Sequence, residues 1–369
     1  MPGRRDFLQM MLALPLLGIP SLLRAETEFD QYRRAQQAGV RAIKDSWQDY
    51  RSAYLSAFRT WQRELARVWS QPEMSDKTRW VQYSADLKTR RLVDFSKNEV
   101  RLSFTGAEAM KLTDARIRAE FETLINTTVS DAWRQDPVLS VVEQGRGPVS
   151  QEPVSGLRQT DQDALLKNRW REQEETPKGE VVTIVIPLNA EAVSERAQQY
   201  LPLVRQYAAR WQVDPVLVLA IMQTESAFNP MARSYVPAFG LMQIVPESAG
   251  RDASRRLWGQ ERLLSSAELF QPATNIELGC IYLHLLSQQY LSGVNDPQSR
   301  LYCVIAAYNT GAGNVARSFS GTTSVKDAAP RINRMTPMQV YSHLRSNLQH
   351  EEARNYLHKV TQAMTVYQA

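Results

Sequence analysis

Glu225 stands where a carboxylate could act as an acid. It ends a run of apolar residues that begins at Val216, and Asp214 followed by Pro215 is typical of the start of a helix. A carboxyl group at the end of a buried helix is partly removed from water, which raises its pKa and keeps it protonated near neutral pH. A protonated carboxyl at the wall of a cleft can protonate a glycosidic oxygen. Periodicity alone favours the alternative, a Glu on an exposed terminal turn.

Four short motifs, one of which contains Glu225, favour the catalytic interpretation because four motifs in order are far more specific than one. They are AIMQTESAFNP at residues 220–230, AFGLMQI at 238–244, AAYNTGAG at 306–313 and EARNYLHKV at 352–360. In these motifs the sequence resembles the lytic murein transglycosylases with a lysozyme-like catalytic domain, within the soluble-lytic-transglycosylase superfamily. Within that group it is most similar to the membrane-bound lytic murein transglycosylase C type.

The resemblance implies a reaction on the glycan strands of peptidoglycan. Glu225 would protonate the oxygen between N-acetylmuramic acid and N-acetylglucosamine, and would then act as a base toward the muramic 6-hydroxyl. The product would carry a 1,6-anhydromuramyl end. One enzymic carboxylate suffices when the substrate's acetamido group stabilises the cation, and residues 226–246 contain no Asp or Glu. The resemblance implies no cofactor and no metal, and it assigns Tyr356 to the catalytic site as a hydroxyl that orients Glu225.

Three further residues of these motifs are expected to bind substrate or to shape the site. Ser226 could hydrogen-bond the substrate or the backbone beside Glu225, or simply end the helix. Gly240 is expected to permit a tight turn near the sugar. Met242 could pack on a sugar face or in the core.

The third motif and the end of the second supply polar groups for binding. Gln243 and Asn309 each offer an amide donor and acceptor, which suits the acetamido groups of the substrate. Tyr308 could lie in the core or in the cleft. Two other functions stay open at this point: a hydrolytic muramidase on the same fold, and a peptidoglycan-binding scaffold without catalysis. The chain has four His but no His-Glu-x-x-His motif, so a zinc peptidase is disfavoured.

The sequence predicts that these residues lie in one of two domains of different architecture. The predicted fold class of the whole chain is α+β. Residues 190–369 have helical periodicity throughout and predict the mainly α, lysozyme-like catalytic domain. Residues 26–189 predict an α+β accessory domain with a small antiparallel sheet. Its elements are a long amphipathic helix at 29–70, a hairpin of residues 91–95 and 100–104, helical spacing over 107–133, a strand at 181–186, and a Gly- and Pro-rich linker near 143–179.

Residues 1–25 predict an export signal of the twin-arginine type, with an amphipathic N-terminal helix or a retained membrane anchor as the alternative. Arg4 and Arg5 precede Phe7 and Leu8, and the apolar run at residues 10–19 is too short and too broken by Pro and Gly to span a membrane. This places the protein in the periplasm, with association to the outer membrane left open. The segment contains no cysteine, so no lipid anchor on cysteine is expected.

Two cysteines and a mild charge limit the other possibilities. Cys280 and Cys303 could form a disulfide in an oxidising compartment, or could be two small buried apolar residues. The 369 residues carry 44 Lys and Arg against 39 Asp and Glu, a net charge of +5 without a basic run, which disfavours nucleic-acid binding. The expected partners are peptidoglycan glycan strands and other cell-wall enzymes.

Overall fold

The computed structural model describes residues 28–143, 145–157, 161–189 and 192–368. The predicted export signal at 1–25 lies outside the described residues. The chain forms two compact units, residues 1–42 and 43–369, and the first contributes only the opening of the long first helix to the described structure. The boundary predicted between residues 189 and 190 falls inside the second unit. We refer to residues 43–189 as the N-terminal part and to residues 192–368 as the C-terminal part.

The N-terminal part combines helices with one small sheet, and the predicted α+β fold class is confirmed. The first described element, α1 (Glu28–Val68), begins in the first unit, before residue 43. The others are β1 (Arg79–Tyr83), β2 (Thr89–Asp94), β3 (Glu99–Thr105), α2 (Ala107–Met110), α3 (Asp114–Asn126), α4 (Val129–Arg134), α5 (Leu139–Val142), α6 (Gln162–Lys167), β4 (Trp170–Thr176) and β5 (Gly179–Pro187).

The sheet is antiparallel throughout, with strand order β1-β2-β3-β5-β4. The predicted hairpin is β2–β3, in which Asp94 lies opposite Glu99 across the turn. Asn98 takes a positive φ of 57° in that turn, a conformation that Asn tolerates better than most residues. Phe104 on β3 and Phe121 on α3 are fully buried, so α3 covers one face of the sheet.

The linker predicted near residues 143–179 is corrected by the structure. Residues 170–176 form the edge strand β4, which pairs with β5 along its whole length, and residues 162–167 form α6. Nearly all of β4 is exposed to solvent, so its sequence WREQEET lacks the alternation of apolar and polar residues that marks a half-buried strand. Residues 145–157 have no regular structure, but Val154 and Leu157 are buried.

The C-terminal part is helical. Its elements are α7 (Ala192–Trp211), α8 (Pro215–Ser226), a π-helical turn (Pro246–Gly250), α9 (Arg251–Trp258), α10 (Ser266–Leu269), α11 (Pro272–Leu285), a second π-helical turn (Leu286–Tyr290), α12 (Pro297–Thr310), α13 (Ala312–Ser320), α14 (Val325–Ile332), α15 (Pro337–Asn347) and α16 (Glu351–Tyr367). Within the described residues, no helix is both long and apolar enough to cross a membrane.

Helix α8 lies at the centre of this part. Every residue from Leu217 to Met222 is buried, which explains why the segment is apolar on all sides. It packs against α7 and along α16, and α16 in turn contacts α12. Helix α8 is thereby packed against α16, which carries the fourth motif and itself contacts α12, the helix of the third motif.

Buried contacts join the two parts. The ring of Phe239 meets those of Tyr50 and Tyr54 edge-on, with centroids 6.5 and 6.1 Å apart. The guanidinium of Arg233 lies 2.8 Å from the carboxylate of Asp136, and both side chains are largely buried. Because a buried ion pair is costly to separate, these contacts hold the loop around Arg233 against the N-terminal part.

The disulfide considered for Cys280 and Cys303 is not formed. Both thiols are free, and both side chains are fully buried in the apolar core, on α11 and α12. Burial raises the pKa of each thiol, that of Cys303 to about 12. The pair therefore takes the alternative role, that of two small and unreactive core residues.

Candidate active site

Glu225 is positioned by the end of α8. The Asp214 side chain caps the start of this helix by accepting a hydrogen bond of 2.8 Å from the Val216 amide, as the sequence predicts. At the other end Ala227 and Phe228 take positive φ values of 49° and 66°, so the chain turns sharply directly after the carboxylate. Only 5% of Glu225 is exposed, which excludes the exposed terminal turn that periodicity favours.

Burial and the neighbouring groups shift the pKa of Glu225 in opposite directions. Burial is the largest, and it raises the pKa of the carboxyl above its ordinary value of 4.5. The ammonium of Lys77, 3.3 Å from Oε2, and the hydroxyl of Tyr356 lower that pKa, while the negative charge of Glu352 raises it again. The net pKa is raised, which is the property required of a general acid that works near neutral pH.

Two tyrosines approach the carboxyl from α16 and α12. The Tyr356 hydroxyl is buried and faces Glu225, but no described atom offers it a well-aligned hydrogen bond. The Tyr308 hydroxyl donates to the carbonyl of Met242 at 2.8 Å. Burial and the charge of Glu225 raise the pKa of both phenols well above 10, so both remain proton donors in the working range.

The turn of the second motif is held by Gly240 and Asn275. Gly240 has a φ of +76°, and a Cβ at this position would lie 2.3 Å from the Asn275 amide nitrogen and from the carbonyl of Leu269. The Asn275 side chain donates to the carbonyls of Phe239 and Leu269 and accepts from the amide of Met242, each at 2.8 Å. Gly240 therefore permits the turn that was expected, and its role in the structure is one of shape.

Ser226 and Met242 serve packing in the structure. Ser226 is fully buried, and its hydroxyl lies 2.8 Å from the carbonyl of Leu241 and 2.9 Å from that of Met222. It thus links the end of α8 to the second motif, the backbone alternative considered for it. Met242 is also fully buried, and its sulfur packs so tightly on Gly279 that a Cβ there would lie 2.1 Å away.

The two amides have different surroundings. Gln243 takes a positive φ of 48°, and its Nε2 donates to the carbonyl of Gly240 at 3.0 Å. Its buried Oε1 has no hydrogen-bond partner among the described residues. Asn309 is half-buried near the end of α12 and is not among the residues that line the cleft at Glu225.

The cleft at Glu225 has a volume of about 640 Å³ and is formed by both parts of the molecule. Of the predicted site residues, Glu225 and Tyr356 line it. The N-terminal part contributes Asp76, Lys77 and Thr78, which the sequence did not reveal because nothing local marks residues 76–78 as part of a site. The remaining lining residues are Thr224, Arg233, Ser234, Tyr235, Glu352, Asn355 and Lys359. Asn355 directly precedes Tyr356 in the fourth motif, which is the signal that could have identified it.

The chain is similar to several known proteins. The family model of the transglycosylase SLT domain matches residues 202–329. A protein of Histophilus somni named membrane-bound lytic murein transglycosylase C is 35% identical over 320 residues, which are 82% of this chain and 84% of that protein. Its namesake in Salmonella arizonae is 37% identical over 302 residues, 78% and 81% of the two chains. Among solved structures, the 70 kDa soluble lytic transglycosylase of Escherichia coli aligns with a TM-score of 0.37 and 26% identity, over 48% of this chain and 25% of that one.

The SLT domain, with its buried carboxyl at the wall of a cleft, defines the class of SLT-type lytic transglycosylases. Within this class, the chain belongs to the family of membrane-bound lytic murein transglycosylase C. The resemblance read from the four motifs is thereby confirmed.

Proposed function

We propose that the protein cleaves the β-1,4 bond between N-acetylmuramic acid and N-acetylglucosamine in peptidoglycan and leaves a 1,6-anhydromuramyl end, with Glu225 as acid and then as base. The observation that carries this proposal is the burial of Glu225 at the wall of the cleft, with a pKa raised above 4.5. The names of the relatives, which are lytic murein transglycosylases, support the same class of substrate.

The proton returns to Glu225 over the two steps. Glu225 donates its proton to the glycosidic oxygen as the bond between C1 of the muramic acid and that oxygen breaks. The substrate's acetamido group stabilises the cation at C1. The carboxylate then takes the proton of the muramic 6-hydroxyl while O6 bonds to C1. No water is consumed, and Glu225 ends the cycle protonated.

The other carboxylates of the cleft support a mechanism with one enzymic carboxylate. Asp76 is bound by the guanidinium of Arg79 and by two backbone amides, so its oxygens are occupied. The side chain of Glu352 is 75% exposed, so it lacks the buried setting of Glu225. Neither group is a good second catalytic carboxyl, which leaves the substrate's own groups to complete the reaction.

Binding of the sugar is assigned to the amides of the second and third motifs, neither of which lines the cleft at Glu225 itself. We propose that Gln243, whose Oε1 has no partner among the described residues, and Asn309 form hydrogen bonds with the acetamido groups. Tyr356 steadies Glu225. Ser226, Gly240 and Met242 act by holding the second motif in place, and Tyr308 holds the carbonyl of Met242.

Replacement of Glu225 by Gln tests the assignment. Purified wild type and Glu225→Gln are incubated with sacculi, and the soluble fragments are weighed by mass spectrometry. We expect the variant to lose activity by at least about a hundredfold, as is typical when a general acid is removed. Glu174→Gln on the exposed edge strand is the matched control and should keep full activity.

Two outcomes would contradict the proposal in different ways. Sacculus digestion that survives Glu225→Gln would remove Glu225 from its catalytic role and favour a binding scaffold or another acid. Wild-type fragments one water heavier than the anhydro product would identify a hydrolytic muramidase.

The location belongs to the same proposal. Peptidoglycan lies in the periplasm, so the enzyme must be exported, and the relatives are named membrane-bound. We therefore assign it to the periplasm, at or near the outer membrane, with glycan strands as its substrate and other cell-wall enzymes as partners.

A further inference from the structure

The N-terminal part places a cation against the catalytic carboxyl. The ammonium of Lys77 lies 3.3 Å from Oε2 of Glu225 and 3.7 Å from Oε1 of Glu352. Among the described residues, Lys77 makes the only ion pair with Glu225, although Lys359 lines the same cleft. The sequence separation of 148 residues between Lys77 and Glu225 makes this a contact that only the assembled molecule contains.

Hydrogen bonds hold the backbone of Lys77 and of the residues next to it in place. The carbonyl of Lys77 accepts a hydrogen bond of 3.3 Å from the side chain of Asn229, and the carbonyl of Asp76 accepts one of 3.3 Å from the amide of Arg233. The Asp76 carboxylate accepts from the amides of Thr78 and Arg79 at 2.9 and 2.8 Å. The attachment point of Lys77 is thus built into the contact between the two parts, and Asn229 of the first motif helps to hold it.

The end of the side chain has more freedom than its base. The Lys77 side chain is 37% exposed, and its two carboxylate partners differ sharply, with Glu225 at 6% and Glu352 at 75%. Both distances exceed the 2.7–2.9 Å typical of a short charge-assisted hydrogen bond. The ammonium therefore lies between the carboxylates of Glu225 and Glu352 and makes a short hydrogen bond with neither.

We propose that Lys77 is a positioning residue of the reaction, whose ammonium stabilises the Glu225 carboxylate after it has given up its proton and is retained by Glu352 while Glu225 is protonated. This inference rests on the proposed acid and base roles of Glu225. A group that must serve as both acid and base works best when neither form is strongly favoured. Burial alone would favour the protonated form too strongly, and Lys77 opposes burial.

Other groups around Glu225 enter the same balance and must be held constant in a test. Tyr356 favours the charged carboxylate, as Lys77 does, whereas Glu352 opposes it. The groups of the cleft and its floor that carry charge or titrate are Asp76 and Lys77 from the N-terminal part, Arg233 from the loop after α8, Tyr308 from α12, and Glu352, Tyr356 and Lys359 from α16.

The test is the pH dependence of kcat/KM on soluble peptidoglycan fragments. The alkaline limb reports loss of the proton from Glu225, and removal of Lys77 raises the pKa of that carboxyl. We expect Lys77→Met to move the alkaline limb to higher pH, so that the ratio of variant to wild-type rate rises with pH. Glu352→Gln should move the same limb to lower pH, because it removes a charge that raises the pKa. Lys77→Arg should restore the wild-type profile in large part.

Lys88→Met is the matched control, since Lys88 is exposed on the turn before β2 and lies outside the cleft. Its profile should superimpose on that of the wild type. If Lys77→Met does not fold, as judged by circular dichroism, Lys77→Gln and Glu352→Gln carry the test.

Two results would overturn the role of Lys77: a limb that stays in place or moves to lower pH, or a rise in KM with an unchanged limb, which would make Lys77 a substrate-binding residue. Glu225→Gln separates this failure from that of the proposed function. An inactive Glu225→Gln with an unmoved Lys77→Met profile contradicts only the role of Lys77, whereas an active Glu225→Gln contradicts the acid assignment itself.

Discussion

Glu120 on α3 and Glu225 on α8 are buried to almost the same degree, with 4% and 5% of each residue exposed. Glu120 has both oxygens bound by guanidinium groups, from Arg91 at 2.5 Å and from Arg116 at 2.9 Å. Glu225 has one ammonium at 3.3 Å, which it shares with Glu352. Equal burial therefore accompanies very different degrees of pairing.

The difference distinguishes a carboxyl that serves packing, Glu120, from the carboxyl that we propose as the acid, Glu225. Two guanidinium groups pair with both oxygens of Glu120 where α3 packs on the sheet. Glu225 is buried without enough positive charge to compensate, so its protonated form becomes accessible. Incomplete pairing of a buried carboxyl, more than burial itself, marks the site.

The largest expected effect separates the two residues by stability. Glu120→Gln leaves the largely buried Arg91 without its charge partner, and we expect it to lower the free energy of unfolding by about 3 kcal/mol. Glu225→Gln keeps the shape and the neutral state of the protonated carboxyl and should not destabilise the protein at neutral pH. Urea unfolding measures both, with Glu174→Gln as the exposed control. Equal losses in the two buried variants would show that the pairing of these residues does not differ in energy.

The elements that can be predicted from the sequence are those whose buried residues form a local pattern of apolar and polar positions. Helix α8 follows from its cap at Asp214 and its apolar run, and the β2–β3 hairpin follows from alternation around the turn at Asn98. Strand β4 could not be predicted in the same way, because an exposed edge strand carries polar residues on both faces. Its polarity makes it resemble a linker.

The same distinction between local patterns and long-range contacts applies to the residues of the candidate site. Glu225 and Tyr356, which line the cleft, could be singled out from the sequence because they lie in short motifs, each within one helix or its end. Lys77 and Asn275 were missed because their roles depend on contacts across the fold, 148 residues from Glu225 for Lys77 and 33 residues from Met242 for Asn275. Burial also changed the meaning of Ser226 and Met242, which the motifs alone could not distinguish from substrate contacts.

A smaller effect is expected at Ser226, which holds Glu225 in place without charge. Ser226→Ala leaves the carbonyl of Leu241 and the amide of Phe228 without this partner, and should cost about 1–2 kcal/mol of stability. Activity should fall with it, because the end of α8 is no longer tied to the second motif. Ser318→Ala removes a hydroxyl bonded within its own helix and is the control. Unfolding and sacculus digestion are measured on both; full activity in Ser226→Ala would show that charge alone positions Glu225.

The smallest expected effect is a pH dependence of the stability difference between wild type and Glu225→Gln. The pKa of Glu225 is raised in the folded state above 4.5, so the folded protein binds this proton more tightly than the unfolded chain does. The stability that the proton contributes is fully present below the unfolded pKa and is lost as pH rises through the folded pKa. Because Gln carries no such proton, the variant should gain stability relative to wild type with rising pH. Thermal unfolding between about pH 4 and pH 8 measures the difference. A variant that instead loses relative stability as pH rises would mean that Lys77 and Tyr356 together outweigh burial, and Glu225 would then resemble Glu120 as a fully compensated carboxylate.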